Sequence, residues 1–424
     1  MSIFSELHDL QEAPEAALQP PCDFPRQATQ AGQKDSAPPI VIVSVMRMEG
    51  ETGMQTHFRV FLNALRTQNQ PRALVTPFDP ISWKALVMFG LRRPIQCLNR
   101  AAGVWWHRHW HEHYLVEELK YFFARNGKCV IYAQCPVSAR AALLTRRSAE
   151  QRVVMAVHFN ISQADEWAEK KMIPLGGKVY ESICRLEKDV LPQLDGLVFV
   201  SDFMRRELQE RIPAIKQVPS TVIPNFVVDP CVEKSDEYEA DLISIGSLEP
   251  RKNQRYLLDI ISAAKRQGSA LRLTVVGDGP DRAMLEAYAR QLKISDSVRF
   301  KGFVRGASDL LKRHKAYIHS AKMENMPLTL IEAMSYGLPV FSPAVGGIPE
   351  IFSDGVEGRM LPLDDADAAA ARIIQWLNDP DKMSSAANSA RKSYREKFES
   401  NVVSARLTKF LREVSIQSAL TGKA

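Results

Sequence analysis

Residues 324–340 carry the sequence ENMPLTLIEAMSYGLPV, and this stretch decides how the chain is interpreted. Its centre predicts a short helix, because Pro327 suits a first helical position, where its fixed φ helps and its missing N–H costs little. Gly337 is a typical helix end, and the apolar residues after it predict a buried strand. Two carboxylates therefore bracket the helix start: Glu324 on the preceding loop and Glu332 about a turn and a half inside the helix.

The start of this predicted helix combines an anion site with groups that bind hydroxyls. The first turn of a helix presents unpaired N–H groups, which bind phosphate. Flanking carboxylates accept hydrogen bonds from sugar hydroxyls. The stretch therefore predicts a sugar-nucleotide site, although an acidic loop residue followed by a solvated helix glutamate is the alternative. The donor-binding candidates here are Glu324, Asn325, Met326, Pro327, Leu328, Thr329 and Glu332.

The rest of the chain alternates buried apolar runs with helical patterns. Residues 40–45 form an apolar run typical of a buried parallel strand. Further strands are predicted at 128–132, 153–157, 197–200, 222–223, 242–245, 271–276, 298–300, 316–319, 339–341 and 359–363. Helices are predicted near 57–65, 253–266, 280–291, 327–336, 366–378, 382–396 and 401–416. This alternation predicts an α/β protein with doubly wound parallel sheets.

A basic turn, GSLEPRKN at residues 246–253, follows one predicted strand and precedes a helix. Gly246 permits close backbone approach. Arg251 and Lys252 follow the carboxyl end of the strand, where ligands bind in open α/β sheets. Two adjacent cations could neutralise a diphosphate leaving group, and charge stabilisation of this kind is often the largest catalytic contribution. Taken alone, the turn also fits a solvated basic surface.

The paired glutamates and the basic turn together resemble the retaining GT-B glycosyltransferases, and in particular glycosyltransferase family 4. The resemblance extends over residues 40 to 400. It implies two facing Rossmann-like domains. It also implies that Glu324 approaches the hydroxyls of the transferred sugar, that Glu332 binds the nucleotide ribose, and that Arg251 and Lys252 hold the diphosphate.

The resemblance also gives roles to residues that the patterns alone leave open. His158, in VMAVHFN, matches a family histidine that contacts the donor sugar, although a lone histidine at a strand end is more often structural. Gly53 loosely matches a glycine loop that approaches the donor phosphates, because Thr52 stands where many members have a second glycine. Phe303 and Val304 match the loop that binds the nucleobase. The candidate catalytic residues are therefore Glu324, His158, Arg251 and Lys252.

Length and resemblance together divide the chain into four parts. A chain of 424 residues is too long for one typical core. We expect a flexible tail rich in Pro and Gln at residues 1–38, an acceptor domain at 39–225 and a nucleotide-sugar donor domain at 226–396. The resemblance implies that residues 397–424 contain a helix that crosses back to the first domain.

Three further motifs have simpler interpretations. The stretch GDGP at 277–280 lacks the third glycine of a dinucleotide fingerprint and predicts a tight strand-to-helix turn. Asp365 and Asp367 precede an Ala-rich helix, where acids complement the helix dipole. The histidines at 107, 109, 111 and 113 form two helical pairs with no obvious third ligand. We therefore expect neither a metal site nor a cofactor.

Composition excludes several classes of protein. Hydrophobic residues make up 45% and charged residues 25% of the chain, as in ordinary globular proteins. The six cysteines are scattered without a Cys-x-x-Cys pair, which fits a reducing cytoplasm. The first residues lack the pattern of a signal peptide, and no apolar run is long enough to predict a spanning helix. No nucleic-acid module stands out, so we expect a cytoplasmic enzyme without a nucleic-acid partner.

The positive charge is concentrated in one region. Residues 81–152 contain twelve Lys or Arg and four acids, within a net charge of +6 for the chain. The part between residues 81 and 110 also carries Trp83, Phe89 and three more tryptophans. Mixed aromatic and basic surfaces suit contact with anionic lipid, at the inner face of the plasma membrane. An ordinary helical face with an acceptor-loop insertion is the alternative.

The sequence thus predicts a retaining, metal-independent glycosyltransferase of cell-surface polysaccharide or lipopolysaccharide synthesis. Its expected partners are a nucleoside-diphosphate sugar and a saccharide or lipid-linked saccharide acceptor. Two alternatives stay open at this point. One is a sugar-nucleotide epimerase or hydrolase on the same fold, and the other is a non-catalytic sugar-nucleotide-binding scaffold of a polysaccharide assembly complex.

Overall fold

The computed structural model describes residues 37–50, 52–78, 81–231 and 237–416, which form two six-stranded parallel sheets with helices on their faces. This confirms the predicted α/β class and the pairing of two Rossmann-like units. Nearly all of the predicted tail at 1–38, and residues 417–424, lie outside the described residues.

All neighbouring strands of the first sheet run parallel, in the order β2-β1-β3-β4-β5-β6. Its strands are β1 Ile40–Val43, β2 Arg72–Val75, β3 Cys129–Ala133, β4 Gln151–Val157, β5 Gly196–Phe199 and β6 Ser220–Val222. Strand β2 was not predicted. It is a four-residue edge strand that is only partly buried, and its sequence, RALV, begins with a charged residue and lacks the apolar run of the central strands.

The second sheet is also parallel, in the order β12-β11-β10-β7-β8-β9. Its strands are β7 Ala240–Ile245, β8 Leu273–Val276, β9 Val298–Gly302, β10 His314–Ile318, β11 Val340–Pro343 and β12 Gly358–Leu361. The predicted strands of this half are confirmed within a few residues. The central strands of this sheet are buried on both faces and carry apolar runs that are easy to recognise, whereas the edge strands β9 and β12 are only partly buried.

Helices cover both faces of each sheet, so each sheet has two apolar layers. In the first half the helices are α1 Gly53–Thr67, α2 Trp83–Gly90, α3 Arg92–Leu98, α4 Arg100–Phe123, α5 Pro136–Thr145, α6 Gln163–Glu169, α7 Lys178–Val190 and α8 Asp202–Arg211. In the second half they are α9 Gln254–Arg266, α10 Arg282–Gln291, α11 Leu328–Ser335, α12 Ala366–Leu377, α13 Pro380–Lys397 and α14 Ser400–Ile416.

Helix α14 returns to the first sheet, as the fold prediction required. Its buried side chains Val403, Leu407, Leu411 and Val414 pack in one cluster with residues of β1, β3 and β4. The domain boundary predicted between 225 and 226 lies in the connection from β6 to β7, and it remains a proposal. No helix of the described residues combines the length and the apolarity needed to cross a membrane.

Each sheet has one point where the chain direction across the sheet reverses. In the first sheet it lies between β1 and β3, and in the second between β7 and β10. The carboxyl ends of the two strands diverge into connections on opposite faces at such a point, which leaves a crevice where ligands bind. The two reversal points therefore identify where to look for sites.

Candidate functional site

The predicted basic turn and the first glutamate meet at the reversal point of the second sheet. The turn at 246–253 follows β7 and contains a single 3₁₀ turn, Pro250–Lys252. Glu324 follows β10, the neighbouring strand. The loops are bonded to each other, because Ser320 Oγ donates to the Lys252 carbonyl at 2.9 Å and the Lys322 N–H donates to the Arg251 carbonyl at 3.3 Å.

Glu324 is the centre of a buried charged cluster. Its Oε1 lies 3.4 Å from Arg251 Nη1 and 3.6 Å from His319 Nε2, and it accepts a hydrogen bond from Lys252 Nζ. Burial by itself would raise the pKa of Glu324, but Lys252, His319 and Arg251 outweigh it and hold that pKa well below the ordinary glutamate value. Glu324 is therefore ionised at neutral pH, and the cluster pairs its charges without any ligand.

Two glycines hold the Glu324 loop against the segment after β11. A Cβ on Gly346 would lie 1.9 Å from the Glu324 carbonyl oxygen, and one on Gly347 would lie 2.0 Å from that of Asn325. The Gly347 N–H donates to the Glu324 carbonyl at 3.0 Å. This close backbone approach explains the predicted structural role of the Gly-Gly turn, which fixes the position of Glu324.

Helix α11 follows the loop and points its first turn toward the same crevice. Pro327 is the residue before the helix rather than its first residue, because its ψ of 121° is extended. Gly337 has a φ of 67° and ends the helix as predicted. Glu332 and Thr329 both lie close to Tyr317 of β10, since the Glu332 charge acts on that phenol and Thr329 is hydrogen-bonded to it.

The other residues of the predicted donor stretch face the protein. Met326 is buried in the core beneath α11. Asn325 is 3% exposed, and its side chain bridges to the first half: Nδ2 donates to the Phe159 carbonyl at 3.1 Å, while Oδ1 accepts from Ser201 Oγ. The Asn325 side chain therefore connects the Glu324 loop to the first half of the chain through two hydrogen bonds.

Gly246 borders open space, because a Cβ placed on it would meet no atom within 4 Å. The reason for a glycine here is therefore not packing within the protein. Gly277 differs, since its Cβ would lie 2.0 Å from the Gly246 carbonyl oxygen. The turn at 277–280 is a tight connection, as predicted, and it packs directly against the basic turn at 246–253.

The first half contributes a glycine and a histidine to the crevice. Gly53 is the first residue of α1 rather than part of the glycine loop expected there, and Thr52 caps the helix by accepting from the Gln55 N–H at 3.3 Å. A Cβ on Gly53 would lie 3.5 Å from Leu328 Cδ1 at the start of α11. Gly53 therefore faces the helix start that was predicted to bind phosphate.

His158 directly follows β4 and is held in the neutral form. Its Nε2 lies 3.2 Å from Gln134 Oε1, and its ring centre lies 4.6 Å from that of His57. Burial lowers the pKa of His158 to about 4. The next residue, Phe159, accepts the hydrogen bond from Asn325, which itself follows Glu324. His158 and Glu324 are therefore each one residue away from this hydrogen-bonded pair.

Comparison with known families agrees with this geometry. The profile of "Glycosyltransferase Family 4" matches residues 52–229, and that of "Glycosyl transferases group 1" matches residues 230–393. Together they cover residues 52–393, which contain every strand of the two sheets except β1. The chain belongs to the group 1 and family 4 glycosyltransferases.

Individual relatives of this glycosyltransferase cover part of its length. The N-acetyl-alpha-D-glucosaminyl L-malate synthase of Bacillus anthracis is 28% identical over 50% of this chain and 58% of its own length. The phosphatidyl-myo-inositol mannosyltransferase of Mycolicibacterium smegmatis (strain ATCC 700084 / mc(2)155) is 25% identical over 70% of this chain and 74% of its own. The chain spans about half the length of the first curated relatives it matches.

Two solved structures share the GT-B fold of this glycosyltransferase. Sucrose-phosphate synthase from Thermosynechococcus elongatus has a TM-score of 0.67 at 17% identity, covering 89% of this chain and 99% of that one. Anabaena Alr3699/HepE, solved in complex with UDP and glucose, has a TM-score of 0.63 at 15% identity, covering 88% and 98%.

Phe303 and Val304 lie on the loop after β9, at some distance along the sheet from the reversal point. The Phe303 side chain is 65% exposed, whereas Val304 is half-buried against the core under α11. An exposed phenylalanine in a glycosyltransferase with this fold is available to a planar ligand. The structure alone does not bring either residue into contact with Glu324.

Three residues of the crevice were not predicted. His319 ends the β10 segment beside Glu324, and Glu249 Oε1 lies 3.1 Å from Arg251 Nη2. Glu166 on α6 accepts from the Asn160 N–H at 3.0 Å, and its charge acts on the cluster of Glu324 and Arg251. Each is a common residue type without a motif of its own, so only its position in the fold reveals it.

The two motifs that could be mistaken for metal sites, Asp365 with Asp367 and the histidines of α4, have structural explanations. Asp365 caps α12, since its Oδ1 accepts from the Ala368 N–H at 2.8 Å. The rings of His107 and His111 lie 3.9 Å apart on α4, and burial lowers the pKa of both. Among the described residues, no group of three or more His, Cys, Asp or Glu is arranged to hold a metal ion.

Proposed function

We propose that this protein transfers a sugar, with retention of configuration, from a nucleoside-diphosphate sugar to a saccharide or lipid-linked saccharide in cell-surface polysaccharide, lipopolysaccharide or glycolipid synthesis. The observation that carries the proposal is the buried cluster of Glu324 with Arg251 and Lys252 at the reversal point of the second sheet. The relatives named above act on sugars and a phosphoinositide, and the HepE structure holds UDP and glucose, which supports this class of donor and acceptor.

In the proposed donor complex, the diphosphate lies between the basic turn and the start of α11. Arg251 and Lys252 carry the positive charge, Gly246 and Gly53 leave room for the phosphates, and the first N–H groups of α11 at Leu328 and Thr329 donate to them. Pro327 provides the extended entry to that first turn. The proposal needs no metal ion, because these groups compensate the negative charge.

Glu324 and Glu332 are proposed to hold hydroxyl groups on the two ends of the donor, the sugar and the ribose. Glu324 is ionised and acts as an acceptor only. Phe303 and Val304 are proposed to line the nucleobase, with Phe303 supplying an exposed ring. Asn325 and Met326 would act by keeping this loop and the first domain together.

During transfer, the bond from the anomeric carbon to the phosphate oxygen breaks and the bond from the acceptor oxygen to that carbon forms on the same face. The acceptor proton passes to the departing phosphate oxygen. The cations stabilise the charge that develops on the phosphate, which is a contribution present mainly in the transition state. His158, which is neutral, is proposed to hydrogen-bond the transferred sugar.

A thermal-shift panel with UDP-, GDP- and ADP-sugars tests the donor class. A ligand held only by the native state raises the melting temperature. We expect one nucleotide series to stabilise the protein and to be consumed with sugar transfer when an acceptor extract is added. If no nucleoside-diphosphate sugar changes the melting temperature of the protein, the proposed function is wrong.

We also propose that helices α2 and α3 contact an anionic membrane on its cytoplasmic face. Residues 81–111 contain five Lys or Arg and no acid. The largest exposed apolar side chains of these helices and their flanks include Trp83 at 72%, Leu86 at 57% and Leu98 at 90%. An exposed apolar patch on a segment with five cations and no acid has the charge and the hydrophobicity of a surface that binds anionic lipid.

Co-sedimentation with vesicles tests this contact. We expect the protein to bind vesicles with 30% phosphatidylglycerol more than neutral vesicles, and the variant Trp83→Ser with Leu98→Ser to lose this binding. Leu144→Ser is the matched control, because Leu144 is also a leucine on the first domain and is 69% exposed. Equal sedimentation of all three proteins with both vesicle types would contradict the membrane contact.

A further inference from the structure

A small cavity lies at the reversal point of the first sheet. It has a volume of about 50 Å³, and its lining includes residues from two loops and two helices: Val45, His107, Arg108, Cys135, Gln163 and Trp167. Val45 follows β1 and Cys135 follows β3, the two strands between which the chain reverses. The cavity therefore occupies the position in the first sheet that the Glu324 cluster occupies in the second.

The cations around this cavity outnumber the carboxylates that could neutralise them. Arg108 lines it, and the charges of Arg92 and Arg47 act on the histidines beside it. The carboxylate whose charge acts most on Arg108 is that of Glu112, which is bonded through both of its oxygens to Arg140. Positive charge thus accumulates around the half-buried Arg108 guanidinium, whose Nη1 donates to Ser182 Oγ at 3.4 Å on its exposed side.

The remaining carboxylate, that of Glu187, is also engaged. It accepts from Ser162 Oγ at 2.7 Å and from the Gln163 N–H at 2.8 Å, and burial raises its pKa to about 7. Burial lowers the pKa of Arg108, as expected for a cation without full compensation. Among the described residues, Arg108 Nε and His107 Nδ1 are buried without a hydrogen-bond partner. Such groups call for a partner that the protein itself does not supply.

Helix α6 connects this cavity with the Glu324 cluster. Gln163, Glu166 and Trp167 are spaced three and four residues apart and so share one face of the helix. Gln163 and Trp167 line the cavity, whereas the charge of Glu166 acts on Arg251 and Glu324. A molecule in the cavity would therefore lie along the same helix face that meets the proposed donor site.

We propose that the cavity is a subsite for the second substrate and that it binds an anionic substituent, a phosphate or a carboxylate, through Arg108. The proposal rests on the proposed function, because it names the chemical class of the acceptor. The neutral imidazole of His107 and the amide of Gln163 supply hydrogen bonds that do not depend on charge. Trp167 supplies an apolar wall for the body of the acceptor.

Isothermal titration with small probes tests this subsite. The probes are inorganic phosphate, glucose 6-phosphate and glucuronate, with neutral glucose as the comparison, all at constant ionic strength and with UDP present. The variant Arg108→Met removes the charge but keeps most of the side-chain length. The matched control is Arg146→Met, because Arg146 lies at the far end of α5, which begins beside the cavity and is about 15 Å long.

We expect at least one anionic probe to bind the wild-type protein, and to bind Arg108→Met about tenfold to a hundredfold more weakly, while Arg146→Met binds it normally. Glucose 6-phosphate against glucuronate decides between phosphate and carboxylate. A second variant, Gln163→Glu, places a negative charge in the cavity and should abolish the binding of the anionic probe in the same way.

Three results would overturn the subsite: no anionic probe binds the wild-type protein, Arg108→Met and Arg146→Met bind it equally, or Gln163→Glu binds it as tightly as the wild type. The UDP titration in the same samples separates this failure from that of the proposed function. If UDP binds but the cavity variants have no effect, only the anionic subsite is wrong. If UDP itself does not bind, the donor assignment fails.

Discussion

The two reversal points of this glycosyltransferase differ in how their cations are paired with carboxylates. In the second sheet, Glu324 lies among Arg251, Lys252 and His319, so the charges are paired in the absence of ligand. In the first sheet, Arg108 shares carboxylates that already serve other groups. The two crevices therefore differ in how directly their cations contact carboxylates, and the proposed anionic subsite belongs to the crevice where that contact is weaker.

The histidines follow the same division. His158 and His111 in the first half are buried away from carboxylates, and burial lowers the pKa of each to about 4. His319 in the second half lies beside Glu324, which offsets part of the effect of burial on its pKa. Burial therefore lowers the pKa of histidines in both halves, and of these three only His319 lies beside a carboxylate.

The largest expected effect is at Glu324. The substitution Glu324→Gln leaves buried cations without their carboxylate, so we expect the free energy of unfolding to fall by about 3 to 5 kcal/mol. Sugar transfer should fall roughly 100- to 1000-fold, because the proposed contact with the sugar is lost. Urea unfolding and a donor-consumption assay measure the two effects.

The control for Glu324 is Glu286→Gln, since Glu286 is paired with Arg282 on the surface of α10. Both side chains of that pair are more than one third exposed, so we expect a change below about 1 kcal/mol and normal transfer. Equal effects of the two substitutions would show that the Glu324 cluster has no special role.

The pH dependence of the free energy of unfolding tests the contrast between His158 in the first half and Glu324 in the second. Because the folded pKa of His158 is about 4 and the unfolded value is about 6.5, the unfolded state binds more protons between these values. Stability should therefore fall as the pH drops from 6.5 to 4. Glu324 affects stability at lower pH. Because its pKa is lowered in the folded state, it contributes stability that is fully present above about pH 4.5 and is lost only in stronger acid.

The variant His158→Gln separates the two contributions. Gln can keep a hydrogen bond to Gln134 but does not titrate, so the loss of stability between pH 6.5 and 4 should become smaller. Urea unfolding at intervals across this range measures the slope. An unchanged slope in His158→Gln would mean that His158 is not held neutral by the fold.

A smaller effect is expected at Arg108. Because its surroundings do not compensate the charge fully, Arg108→Met should leave the free energy of unfolding within about 1 kcal/mol of the wild type, or raise it. The unfolding midpoint in urea measures this. A loss as large as that of Glu324→Gln would mean that Arg108 is paired after all, and the contrast between the two crevices would disappear.

The smallest effect on stability is expected at Phe303. Its side chain is 65% exposed, so Phe303→Ala should change the free energy of unfolding by less than about 0.5 kcal/mol. If the ring stacks on the nucleobase, UDP affinity should fall severalfold. Met284→Ala is a control with an apolar side chain that is 46% exposed on α10, and it should leave UDP affinity unchanged.

Much of the fold could be predicted because the central strands are buried on both faces. The run of β1 is apolar throughout and β8 has one buried threonine among apolar residues, whereas β2 is a half-buried edge strand and was not predicted. The paired glutamates identified the second crevice because their spacing, the proline and the glycine reinforce each other. Helix α14 was placed by resemblance alone, since its periodicity does not say which sheet it covers.

The first crevice could not be predicted in the same way. Arg108 lies far along the chain from Gln163 and Trp167, and none of the three belongs to a motif, so only the fold brings them to one cavity. The His107 to His113 stretch was considered as a metal site and rejected, and the structure places the His107 and His111 rings 3.9 Å apart along α4. Glu166 likewise becomes informative only when α6 is placed opposite the second sheet.

The affinity of UDP for the wild type, Lys252→Met and Lys409→Met tests the donor site most directly. Lys409 lies on the surface of α14 with 79% of its side chain exposed and serves as the control. If the basic turn holds the diphosphate, Lys252→Met should bind UDP about tenfold or more weakly, and Lys409→Met should bind it like the wild type. Equal UDP affinity in all three proteins would contradict the account.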